Sequence, residues 1–112
     1  MISAEGISAL VAQYEKFGWR LRRVLLSPDL RKQLGETAPS LFRSAEIIAS
    51  DLAAAWFSRP SLETGVAWEI RRLDDIPFAL VEVVDDDDLL DDVLTRLEND
   101  LRDRINKSST SH

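Results

Sequence analysis

Glu69 and Glu82 lie in two segments, VAWEIRRL (residues 66–73) and FALVEVV (residues 78–84), that read as adjacent strands. With Asp75 and Ile76 as a two-residue hairpin turn, Leu73 faces Phe78, Arg71 faces Leu80 and Glu69 faces Glu82. Two opposed carboxylates on one sheet face repel each other unless a cation sits between them. Such a pair can carry acid–base chemistry or hold a metal, which makes a small hydrolase one functional reading. Arg71, on the same face, with Arg20 or Arg22, supplies the cation for the plainer reading, a neutralised sheet face. A slip of one residue in register would separate the two carboxylates.

The stretch VVDDDDLLDDV, residues 83–93, holds six aspartates. Calcium loops alternate acidic ligands around a glycine and close on a distant glutamate. This run does neither, and consecutive aspartates point in different directions. Leu90, Val93, Leu94, Leu97, Leu101 and Ile105 follow with helical spacing. The aspartates therefore stand before and inside the first turn of a helix, where the macrodipole favours anions and one of them can cap. Arg102, Arg104 and Lys107 complement the other end. The first reading is a helix start, the second an acidic contact surface at Asp85, Asp86, Asp87 and Asp88, and a metal site is not expected.

Other catalytic kits are missing. The chain has no cysteine and a single histidine, His112, so thiolate chemistry and imidazole-based triads have no residues to use. No G-x-S-x-G elbow and no glycine-rich phosphate loop is present. Arg20, Arg22 and Arg23 beside Trp19 suggest a basic patch for nucleic acid, but a net charge of −6 opposes it. Trp19, Trp56 and Trp68 are suited to filling a core. Trp56 with Arg59 is also a candidate interface anchor, since tryptophan and arginine dominate binding hot spots.

The elements that must position these residues follow from patterning. Ser3 caps a first helix whose stripe is Ile7, Leu10, Val11, Tyr14 and Phe17, and Gly18 stops it. WRLRRVLLS (residues 19–27) alternates as a strand, with Trp19, Leu21 and Leu25 on one side and Arg23 interrupting them. Ser27, Pro28 and Gly35 bracket a short helix. Residues 36–51 fit a helix or a short strand. LAAAWFSR (residues 52–59), 66–73 and 78–84 form a three-strand antiparallel meander. The long C-terminal helix comes last.

The expected fold is α+β: a mixed or antiparallel four-stranded sheet, with the N- and C-terminal helices packed on one face. The other face would carry Arg20, Arg22, Glu69, Arg71 and Glu82, either solvated or covered by a second subunit. Residues 1–106 are expected to form one domain and residues 107–112 a mobile polar tail. The charge is +3 over residues 1–43 and −9 over residues 44–112, which favours a basic partner over nucleic acid or an anionic membrane. The first residues lack the basic and apolar segments of a secretory leader, and no apolar run is long enough to span a bilayer. The expectation is a cytoplasmic, non-enzymatic protein-interaction module, a regulator, adaptor or chaperone-like protein that binds a protein partner or associates with itself as a homodimer. No cofactor is expected. The contact residues expected are Trp56, Arg59, Arg71 and Asp85–Asp88.

Overall fold

Serine caps open the two helices of the N-terminal third. In the computed structural model, which describes residues 3–42, 45–61, 63–74 and 78–110, the Ser3 hydroxyl accepts the Gly6 amide at 3.1 Å and starts α1 (Ala4–Lys16). Gly18, at φ 88°, turns the chain into β1 (Arg20–Leu26). Ser27 accepts the Leu30 amide at 3.2 Å at the head of α2 (Pro28–Leu34). Residues 36–51 resolve into both of the structures their pattern allowed. They form a short helix, α3 (Thr37–Leu41), and then a strand, β2 (Glu46–Ala49).

That extra strand makes the sheet five-stranded instead of four-stranded. β3 (Ala54–Pro60), β4 (Val66–Arg72) and β5 (Ala79–Val84) form the expected antiparallel meander. The order across the sheet is β2-β1-β3-β4-β5, with β1 parallel to β2 and antiparallel to β3.

The first and last helices do not share a face. One apolar cluster joins Ile7 of α1, Leu30 and Leu34 of α2 and Ala38 of α3 to Leu21, Val24, Ala55 and Phe57. A second joins Leu94, Leu97 and Leu101 of the C-terminal helix, α4 (Leu90–Thr110), to Leu25, Trp56, Trp68 and Ile70. The reason lies in β3, which buries every residue from Ala54 to Ser58. A strand apolar on both sides needs cover on both, and one layer of helices cannot supply it. The arginines and glutamates assigned to a single open face are accordingly divided. Register places Arg20 and Glu82 on the α4 side with Ser58 and Trp68, whereas Glu69 and Arg71 lie on the α1 side with Phe57 and Ala55.

Strict alternation also fails within β1. Leu21 pairs with Phe57 and Arg23 with Trp56, so the register shifts by one between them. This bulge moves Val24 and Leu26 onto the α1 side with Leu21, and puts Leu25 on the other. The interruption at Arg23 in the sequence pattern is the trace of that bulge.

Asp86 caps the turn of 3-10 helix Asp87–Leu89 that leads into α4, its carboxylate accepting the Asp88 amide at 3.0 Å. α4 runs on to Thr110, so the helix continues through residues 107–110; Ser111 and His112 lie outside the described residues. Arg102 ties α4 to the loop after β2 by donating to both Asp51 oxygens, from Nε at 3.0 and 2.8 Å. The guanidinium beside Asp51 holds its carboxyl below the ordinary aspartate value. No helix among the described residues is long and apolar enough to cross a membrane.

Gly65, in the β3–β4 turn, is held at φ 76° against the end of β5. A Cβ there would sit 2.5 Å from the Val84 carbonyl oxygen and 2.8 Å from the Asp85 Cα. Gly65→Ala combines a left-handed backbone with a backbone clash, each of order 1–3 kcal/mol. Thermal unfolding should show a fall in melting temperature of several degrees, of order 4 °C or more. An unchanged melting temperature would mean that the turn relaxes without strain.

Candidate interaction surface

α1 covers only part of its side of the sheet. The helices of this layer pack on β1, β2 and β3, and the α1-facing side of β5 carries Ala79, Val81 and Val83, over which no element packs among the described residues. Val81 is 58% and Val83 51% exposed, and Phe17, at the end of α1, is 61% exposed. Gly18 follows Phe17 immediately and ends the helix before that ring can turn inward.

Between Phe17 and the sheet lie two adjoining depressions of about 450 and 660 Å³ that share Phe17 and Arg59. Tyr14, Trp19, Glu69 and Arg71 line the first, while Ala67 and Val83 line the second. The Tyr14 ring stacks on Phe57, with centroids 4.0 Å apart and an interplanar angle of 16°. Trp19 meets Tyr14 edge-on at 6.1 Å. The Arg59 guanidinium lies over Trp19, 4.8 Å from the ring centroid, and its Nη1 donates to the Phe17 carbonyl at 3.0 Å. Cation–π stacking and this hydrogen bond hold an otherwise exposed arginine in one place.

At the floor, the Tyr14 hydroxyl donates to Glu69. Burial, first, and then the hydrogen bond and negative charge of Glu69 push the Tyr14 hydroxyl well above its ordinary value, although Arg71 works the other way. Tyr14 therefore remains a neutral donor. A general acid works best with a pKa near the working pH, and this hydroxyl is far from it. The Arg71 Nε is buried and has no hydrogen-bond partner among the described residues.

The residues singled out from sequence are partly brought together here. Arg59 and Arg71 both line the first depression. Trp56 does not, which corrects its assignment as an interface anchor. It is fully buried on the α4 side, where its indole donates to Glu98 at 2.9 Å. Asp85–Asp88 stand exposed just beyond the end of β5. Glu69 and Glu82 are not opposed. Glu82 pairs with Trp68 and Glu69 with Val81, one residue out of the expected register, so the two carboxylates lie on opposite faces. The turn at Asp75 and Ile76 lies outside the described residues. Glu82 is paired with Arg96. The basic trio is likewise occupied or dispersed, with Arg22 over Trp68 at 5.5 Å and Arg23 beside Glu46 at 3.4 Å. Among the described residues no three acidic or histidine side chains converge as metal ligands.

No family model, curated protein or solved structure matches the chain. Sequence reasoning missed Tyr14, Phe17, Val81 and Val83 as members of that surface. One signal was present: the segment FALVEVV is apolar at both odd and even positions, although it forms the last strand of the sheet.

Proposed function

We propose that this chain is a non-enzymatic protein-interaction module, a regulator, adaptor or chaperone-like protein of the cytoplasm, that docks a protein on the open part of its α1 face. The supporting observation is the grouping of Phe17, Val81 and Val83, each more than half exposed, around depressions edged by Arg59 and Arg71. Single exposed apolar residues are ordinary on a soluble protein, but a grouped set with aromatic and arginine neighbours fits an interface. The acid–base alternative loses its main support, because the carboxylate pair it needs is split between two faces.

Native mass spectrometry of the chain isolated from its own host, beside Val81→Lys and Val83→Lys, tests the reading. Both substitutions fall on exposed side chains and should leave the melting temperature unchanged. The expected result is a stoichiometric protein complex, with a second protein or with another copy, that either substitution weakens by about tenfold or more. A complex indifferent to both would sink the reading. A monomer retaining a small molecule would do so too, and would turn attention to Tyr14, Glu69 and Arg71.

A further inference from the structure

The free margin of the sheet extends the interaction reading, on which this inference rests. β5 is the last strand in the order, and at its start the Arg72 amide donates to the Phe78 carbonyl at 2.8 Å. Antiparallel ladders alternate hydrogen-bonded and non-hydrogen-bonded pairs. Leu80, Glu82 and Val84 therefore direct their backbone groups to β4, and Ala79, Val81 and Val83 direct theirs away from the sheet. Among the described residues no backbone hydrogen bond reaches those outward groups.

Sheet edges are normally protected by charge, proline, shortness or cover. Among the described residues this one has none of these along its length. Its outward positions are alanine and two valines, and its one charged residue, Glu82, points to the α4 side, where Arg96 engages it. The opposite margin, β2, is only four residues long and carries Glu46. A row of free amides and carbonyls beside exposed valines is the template for strand addition.

Charge selects the occupant. β5 runs directly into Asp85–Asp88, all exposed, and a strand arriving antiparallel places its N-terminal end beside that run. A second copy fits poorly: β5 carries no basic residue, so a copy paired about Val81 brings no cation to the exposed Asp85–Asp88 run. We infer that β5 takes up an extended segment of another protein as an antiparallel sixth strand, apolar at alternate positions and basic toward its N-terminal end.

Amide hydrogen exchange on the isotope-labelled full chain tests this, with the synthetic peptide Lys-Arg-Lys-Val-Thr-Val-Thr-Val and its reversed sequence as probes. In the free chain the Ala79, Val81 and Val83 amides should exchange fast, and those of Leu80, Glu82 and Val84 slowly. The first peptide should slow the fast set and bind better than the reversed one. Val81→Pro removes an outward amide while sparing the ladder to β4, and should weaken binding by about tenfold or more. Serine at positions 85–88, which keeps a capping hydroxyl at 86, should weaken it about tenfold at low salt and much less at high salt.

Equal or better binding of the reversed peptide would overturn the inference, as would failure of both peptides to bind. So would a chain already dimeric with its outward amides protected, since a second copy would then occupy the edge. Perturbations confined to Phe17 and Arg59 would also overturn it while leaving the interaction reading intact. That reading fails on a different result, a native complex indifferent to Val81→Lys and Val83→Lys.

Discussion

Truncating Trp56 to alanine should lower the unfolding free energy by about 3–5 kcal/mol, measured by urea denaturation. Trp56 has no exposed surface and stands at the centre of the α4-side core, edge-on to Trp68 at 6.2 Å and 76°. Removing it leaves a cavity among Leu94, Leu97 and Leu101 and takes away the donor on which the Glu98 carboxylate rests at 2.9 Å. Against a total stability of about 5–15 kcal/mol for a domain of this kind, the loss is large enough to leave a substantial unfolded fraction. Trp56→Phe separates the contributions. It keeps most of the packing but not the hydrogen bond, and should cost nearer 1–2 kcal/mol. A loss under about 1 kcal/mol for the alanine variant would mean that the site collapses around the gap and is not a rigid core.

Raising the pH past the ordinary tyrosine value of about 10 should destabilise the fold through Tyr14. The folded-state value is raised, so the stabilising contribution is fully present below the unfolded value. Above it, the unfolded chain gives up its phenolic proton while the folded chain keeps it, and unfolding becomes progressively easier until the folded value is reached. The chain contains one tyrosine, so tyrosinate absorbance during a pH titration reports this hydroxyl alone. Its midpoint should lie above the ordinary value, and Glu69→Gln should bring it down by removing the carboxylate's charge. Tyr14→Phe keeps the stacking on Phe57 and should flatten this part of the alkaline decline. Titration at the ordinary value, with stability unaffected, would show that Glu69 does not hold the hydroxyl.

Much of the fold was legible in local chemistry. Caps at Ser3 and Ser27, stops at Gly18 and Gly35 and the polarised C-terminal helix are short-range signals, and each appears where its residues imply. What was not legible depends on partners distant in sequence. The bulge in β1 is chosen by pairing with β3, and it reverses the facing of every residue after it. The register of β4 on β5 is not fixed by the sequence of either strand, and a difference of one residue removed the carboxylate pair from consideration. LAAAWFSR carried a usable clue to the two-sided sheet, because a run buried on both sides cannot belong to a sheet covered on one.

The candidate surface was less legible still. Arg59 and Arg71 were identifiable by type, but their neighbours Tyr14 and Phe17 looked like ordinary members of an amphipathic stripe. Only the length of α1 relative to the sheet decides that Ile7 is covered and Phe17 is not. The absence of cover over Val81 and Val83 is a property of the layer above them and has no local signature.

The division of the tryptophans between the two sides of the sheet also makes the molecule its own optical probe. Trp56 and Trp68 are shut inside the α4-side core, close enough to each other for their transitions to couple, and are shielded from small quenchers. Trp19 stands apart from them on the α1 side, partly open to solvent under Arg59. Light emitted from the accessible population therefore comes from the depression itself, and whatever enters it changes that signal while the buried pair serves as an internal reference.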